Sequence, residues 1–165
     1  MTKPEKDYYN KIGKVVTSFQ RVEAMIRLFI VRLFKEDMIK VNILTSQLPF
    51  NRLLKCSLAL YLNNNAPTDS HEELKQILKL AGQAEQTRNT YMHSLWHIWQ
   101  DGNDDLKIKA LREKDKIRSS SNIFVQDSEF VTFEEIDDLI EKFEEVVSRL
   151  SDFMNKAEFR NELCQ

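Results

Sequence analysis

The sequence predicts an all-α protein, an antiparallel helical bundle of four to five helices with a small β-hairpin or irregular insertion before the last helix. Three observations carry this expectation. Apolar residues recur at steps of three and four along four separate stretches. Only three Gly and three Pro occur in 165 residues, too few for the many turns of an all-β fold. Two Ser/Thr-x-x-Glu capping boxes, Ser70 with Glu73 and Thr132 with Glu135, mark helix starts.

The first helix is expected from about Asp7 to Glu36. Its apolar positions include Ile12, Val15, Val16, Phe19, Val22, Ile26, Phe29, Ile30 and Leu33, one stripe at helical spacing. Pro49 suits the first turn of a second helix, where a missing N–H costs nothing. That helix carries Leu53, Leu54, Leu58, Leu60 and Leu62 and stops at the polar turn "NNNAP". The third starts at the Ser70 capping box, with a stripe of Leu74, Ile77, Leu78, Ala81, Ala84, Met92, Leu95, Trp96 and Trp99, and ends near "QDGND". From Leu106 to Val131, "LKIKAL" and "NIFVQ" alternate partially around turn residues, which reads as a hairpin or an irregular excursion. The Thr132 capping box opens the last helix, with Ile136, Leu139, Ile140, Phe143, Val146, Val147, Leu150 and Phe153. The whole chain, 1–165, reads as a single helical domain whose insertion spans about 104–131.

Hydrophobic residues make up 42% and charged residues 30% of the chain, with net charge −2 and pI about 6.0. Such a protein is globular and lacks a global positive field, so contact with nucleic acid requires a local patch. Six cations between Lys107 and Arg118 (Lys107, Lys109, Arg112, Lys114, Lys116 and Arg118) face only Glu113 and Asp115, and they provide one. The acidic run from Glu129 to Glu145 reads as solvated surface, favoured near a helix N-terminus by the dipole. Cys56 and Cys164 are far apart with no CxxC pair, which suits a reducing cytosol and excludes a disulfide framework. "MTKPEKDYYNKIGK" has no apolar signal core, and "MIRLFIVRLF" is too short and too charged to span a bilayer. The expectation is a cytoplasmic protein without membrane contact.

The chemistry-bearing stretch is "QTRNTYMHSLW", residues 86–96. At about 100° per residue, Asn89 and His93 share a face, while Arg88 and His93 diverge by roughly 140°. Arg88 falls on the apolar stripe, four residues from both Ala84 and Met92, where a charge needs a partner or a purpose. On spacing alone it is a snorkelling arginine, or one paired with a carboxylate such as Glu23 or Glu85. His93 and His97 are four apart, but "HSLWH" lacks a zincin glutamate, and no Glu-x-x-His pair exists. Neither a metal site nor another cofactor is expected. Trp96 and Trp99 can stack on bases, though a stripe of aromatics is more often core or interface.

"RNTYMH" resembles the motif of the HEPN superfamily (higher eukaryotes and prokaryotes nucleotide-binding): arginine, a polar residue, three positions, then histidine. "FQRVEAMIRLFI" looks like the first helix of bacterial HEPN proteins, and the order of helices is similar over most of the chain, least so from Leu106 to Val131. The resemblance implies a metal-independent endoribonuclease, often a toxin of a toxin–antitoxin or phage-defence system, working as a homodimer. It makes His93 the general acid/base, Arg88 the phosphate-binding group and Asn89 the residue that helps hold them; apart from the resemblance, Glu23, Glu85 and Tyr91 are the candidates to support these residues from behind. RNA cleavage without metal moves a proton from a ribose 2′-OH and gives one to the leaving 5′-oxygen, work an imidazole does near neutrality. A guanidinium fork stabilises the negative phosphorane. Some relatives carry, two positions after the histidine, a tyrosine modified by a partner nucleotidyltransferase; here that position is Leu95. Lys107, Lys109, Arg112, Lys114 and Lys116 are expected to hold the RNA backbone, and Met92, Leu95 and Trp96 to lie near the dimer interface. The partners implied are RNA, a second copy and an antitoxin protein. The alternative is a non-catalytic HEPN module that binds a nucleotide or a partner protein, an antitoxin or a nucleotidyltransferase.

Overall fold

The computed structural model describes residues 3–34, 38–63, 68–93, 95–99, 109–118 and 123–156, with backbone alone at 3–5, 68–69, 95–99, 109–118 and 123–130. Among these residues lie five helices and three strands. In chain order they are α1 (Lys3–Phe34), α2 (Met38–Thr45), α3 (Phe50–Asn63), α4 (Thr68–Met92), β1 (Leu95–Trp99), β2 (Lys109–Arg118), β3 (Ile123–Thr132) and α5 (Phe133–Asn155). The fold is an all-α helical bundle with a small antiparallel sheet, order β1-β2-β3, inserted between α4 and α5. No described helix is long and apolar enough to cross a membrane.

The chain forms two compact units, one of Met1–Val16 with Gln86–Ile140, the other of Thr17–Glu85 with Glu141–Gln165. In the second unit, two aromatic layers set the directions of the helices. Phe19 of α1 packs on Phe50 of α3 and Phe143 of α5, with ring centroids 5.0 and 5.7 Å apart. About three turns further along each helix, Phe29, Tyr61 and Phe153 meet at 5.4 to 6.1 Å. These three helices therefore run parallel. Lys156, just past α5, pairs with Glu73 near the start of α4, so α4 runs opposite to them. Buried apolar residues at helical spacing fill the space between: Val22, Ile26 and Ile30 of α1, Leu53 of α3, Leu74, Ile77 and Ala81 of α4, and Val146 and Leu150 of α5. At Gly82 a Cβ would lie 3.5 Å from Leu54 Cδ1, ordinary contact between closely packed α3 and α4.

The periodicity expected from Asp7 to Glu36 corresponds to α1, and the second expected helix to α3. The short helix α2 lies between them, anchored by buried Val41 and Thr45. Thr45 Oγ1 donates to the Val41 carbonyl at 2.8 Å and accepts from Arg27 Nη1 at 2.7 Å, so the buried hydroxyl is satisfied. At the far end of α1, Arg32 Nη1 donates to the Met154 carbonyl, 3.3 Å away, serving one of the orphan carbonyls that end α5.

In the first unit Tyr8, Val15, Tyr91, Val131, Ile136 and Leu139 are buried. The expected capping box of the last helix is present and reciprocal. Thr132 N–H donates to Glu135 Oε2 at 2.7 Å, and Glu135 N–H donates to Thr132 Oγ1 at 3.2 Å. Strand β3 thereby turns straight into α5. Lys11 of α1 pairs with Asp137 and lies over the Phe133 ring, 5.6 Å from its centroid.

Two sequence-based boundaries differ from the structure. Helix α4 starts at Thr68, two residues before Ser70, because Thr68 and Asp69 are themselves good helix-start residues. The third helix also stops at Met92 and not near Asp101. Leu95, Trp96 and Trp99 mimic a helical stripe, but "LWHIW" is aromatic and apolar and forms β1, paired with β2 over five positions. Of the two expectations for the insertion, the small β-hairpin is the one present, as β2 and β3 pair antiparallel over ten positions.

Candidate functional site

The end of α4 holds Arg88 and Asn89, and His93 follows in the turn that ends the helix, all within the first unit. Arg88 is half-buried on the stripe shared with Ala84. Its Nη1 donates to Asn89 Oδ1 at 2.8 Å. The long arginine stem lets the guanidinium fold back over its neighbour, although adjacent positions on a helix diverge by about 100°. The Nε of Arg88 is buried and makes no hydrogen bond among the described residues. His93 follows the helix in a turn, is exposed, and its N–H bonds to the Asn89 carbonyl at 3.1 Å. Helical geometry thus persists through His93, and the divergence of roughly 140° between Arg88 and His93 stands.

Asn89 therefore touches both partners, Arg88 through its side chain and His93 through its backbone. Tyr91 is buried behind the motif. Glu23 and Glu85 are half-buried on α1 and α4 and belong to the second unit. Met92 is half-buried at the end of α4. Leu95 and Trp96 lie on β1, opposite Glu113 and Arg112 of β2, and not on the helix where the sequence stripe put them. His97 is also on β1, opposite Leu111. Among the described residues no group of three or more His, Cys, Asp or Glu is placed to share a metal ion.

The basic run falls on β2, apart from Lys107, which lies outside the described residues. Alternation along a strand puts Arg112, Lys114, Lys116 and Arg118 at positions of one face, with Lys109, Glu113 and Asp115 on the other. The register qualifies that concentration. Arg112 stands opposite Glu129 and Lys114 opposite Asp127, while Lys116 and Arg118 stand opposite Val125 and Ile123. Cationic excess is therefore greatest toward the Arg118 end of β2. Trp96 stands opposite Arg112 on the other side, so an aromatic position joins the cationic face. Counting charges along the run misses this sorting; the alternating pattern in "REKDKIR" is the signal that reveals it.

Comparison of the chain with family models, with curated proteins and with solved structures finds no match. The functional reading therefore rests on the residues themselves.

Proposed function

We propose that the chain is a metal-independent endoribonuclease that cleaves RNA by attack of a ribose 2′-OH on the adjacent phosphate. The observation that carries this reading is the Arg88–Asn89 hydrogen bond at 2.8 Å, one turn before an exposed His93 in the turn that ends α4. It gives Asn89 a definite task, which a chance Arg-Asn-x3-His spacing would not require. In this reading Arg88 takes the scissile phosphate and stabilises the phosphorane, with Asn89 limiting its rotation. His93 takes the 2′-OH proton or delivers one to the leaving 5′-oxygen. The products are a 2′,3′-cyclic phosphate and a 5′-hydroxyl.

Because Arg88 and His93 diverge, the site is built from two copies related by a twofold axis. Each supplies one imidazole, so that acid and base are separate groups. Met92 and, on β1, Leu95 and Trp96 lie near this contact. The β2 face with Lys114, Lys116 and Arg118 tracks the RNA backbone and gives binding its salt dependence. The resemblance to HEPN proteins suits a toxin or phage-defence effector, held in check by an antitoxin protein in the cytoplasm.

His93→Ala and Arg88→Ala are each expected to abolish cleavage of total RNA while leaving the helical circular dichroism signal unchanged. If both variants bind a partner protein or a nucleotide as the wild type does, and the wild type never cleaves RNA, the module is a non-catalytic binder.

A further inference from the structure

Glu23 and Arg27 stand four residues apart on α1, the spacing and order at which a carboxylate and a guanidinium ordinarily pair on a helix. Here they do not. Arg27 turns to α2, where its Nη1 donates to Thr45 Oγ1 at 2.7 Å, and it meets no carboxylate among the described residues. The acceptor is itself fixed, because the buried Thr45 hydroxyl donates to the Val41 carbonyl at 2.8 Å. A half-buried guanidinium is therefore held in place by a neutral group, and its charge is left unbalanced.

The same guanidinium lines an open groove of about 520 Å³, a volume suited to a small molecule. Ala24, Met25 and Leu28 of α1 form an apolar floor, between Met38 and Asn42 on α2 and Val147 on α5. Arg21 also lines the groove, but Glu144 of α5 neutralises it at 2.6 Å and takes Ser18 Oγ on the same oxygen at 3.5 Å. Glu23 lies outside the groove. Arg21 and Arg27 are six residues apart, about 9 Å along the helix. One end of the groove thus carries an uncompensated cation, and an apolar strip leads away from it, all within the second unit.

We propose that this groove binds a small amphipathic anion, an aliphatic carboxylate whose head takes Arg27 and whose chain lies along Ala24, Met25 and Leu28. The charge selects the head. With Nη1 engaged by Thr45, the remaining N–H groups of the guanidinium are left to form paired bonds with a carboxylate. The lining selects the body. No aromatic ring lines the groove to stack a base, and Asn42 brings its single amide, too little to read a nucleotide. Met25 and Met38 are flexible and adapt to an aliphatic chain.

The site takes no residue of the RNA-cleaving motif, so its test does not depend on cleavage. The test is isothermal titration calorimetry of the full chain with octanoate, and with octanol as the uncharged probe. The expected result is saturable binding of one octanoate per chain that weakens as salt rises, with octanol about tenfold weaker or more. Arg27→Gln should raise the octanoate Kd roughly 10- to 100-fold, the factor to which a hydrogen bond to a charged group corresponds. Ala24→Phe, at an exposed position of the floor, should fill the groove and abolish binding with the unfolding midpoint unchanged. Ile39→Asp with Ile43→Asp, exposed on α2 outside the groove, should bind as the wild type does. A wild type that binds no octanoate, or that binds octanol equally well, would overturn the proposal. So would wild-type affinity in Arg27→Gln or Ala24→Phe, or loss of binding in the Ile39 and Ile43 variant.

Discussion

Asn89 links the two groups expected to do chemistry, and its loss should act through Arg88. Hydrogen bonds to charged groups are each worth about 1.5–3 kcal/mol, so Asn89→Ala should lower the cleavage rate roughly 10- to 100-fold, the equivalent factor at 1.4 kcal/mol per decade. His93→Ala should go further, to background. A rate in Asn89→Ala equal to wild type would mean that the 2.8 Å contact has no part in positioning the guanidinium. Also in the first unit, burial pushes the Tyr8 hydroxyl well above the ordinary tyrosine range, and the Tyr9 hydroxyl adds to the shift. A raised folded-state pKa means that the neutral form suits the fold. The associated stability is intact below the unfolded value of about 10 and is lost as pH rises beyond it. Thermal melts of the wild type should fall steeply above about pH 10, and Tyr8→Phe should flatten that fall.

Among the elements, the helices carry most of what could be read from the chain. Stripes such as Val22–Ile26–Phe29–Ile30 and Ile136–Leu139–Phe143–Val146 are buried in the structure as their spacing implied, because a helix in water has to cover an apolar face. The Thr132–Glu135 box is likewise written in local sequence. Helix α2 was hidden because its exposed side is as apolar as its buried one, so no face stands out. The stretch from Leu95 to Trp99 misled because strand pairing is non-local: its partner, β2, comes ten residues later in the chain. The same cause obscured the charge sorting on β2, which depends on register. At the motif, residue types and spacing were legible, whereas the Arg88–Asn89 contact needed side-chain geometry. Two consequences at this scale can be measured. Gly13 sits within α1 with nothing within 4 Å of a Cβ, so Gly13→Ala should raise stability by roughly 0.5–1 kcal/mol in denaturant titration. On β2, Lys116→Ala should flatten the salt dependence of RNA binding, by about one unit of slope. Lys114→Ala should flatten it as well and also weaken the β2–β3 pairing, since Lys114 stands opposite Asp127 and such cross-strand pairs are worth about 0.2–1 kcal/mol.

For the whole molecule, the chain divides into two compact units, each with its own buried apolar residues. The first holds the motif end of α4, the sheet and the start of α5; the second holds the aromatic layers and the α2 face. Changes in the second unit should therefore alter stability before chemistry. Phe143→Ala, at a fully buried position, should cost roughly 3–5 kcal/mol in urea unfolding. Met92→Glu should remove activity together with the contact that completes the site. The most direct test of the central claim is incubation of the purified chain with total RNA in excess EDTA, followed by analysis of the new ends. The account predicts cleavage that EDTA leaves untouched, 2′,3′-cyclic phosphate termini, and no cleavage by His93→Ala. Cleavage that the chelator stops and a divalent ion restores, or that His93→Ala retains at the wild-type rate, would contradict it.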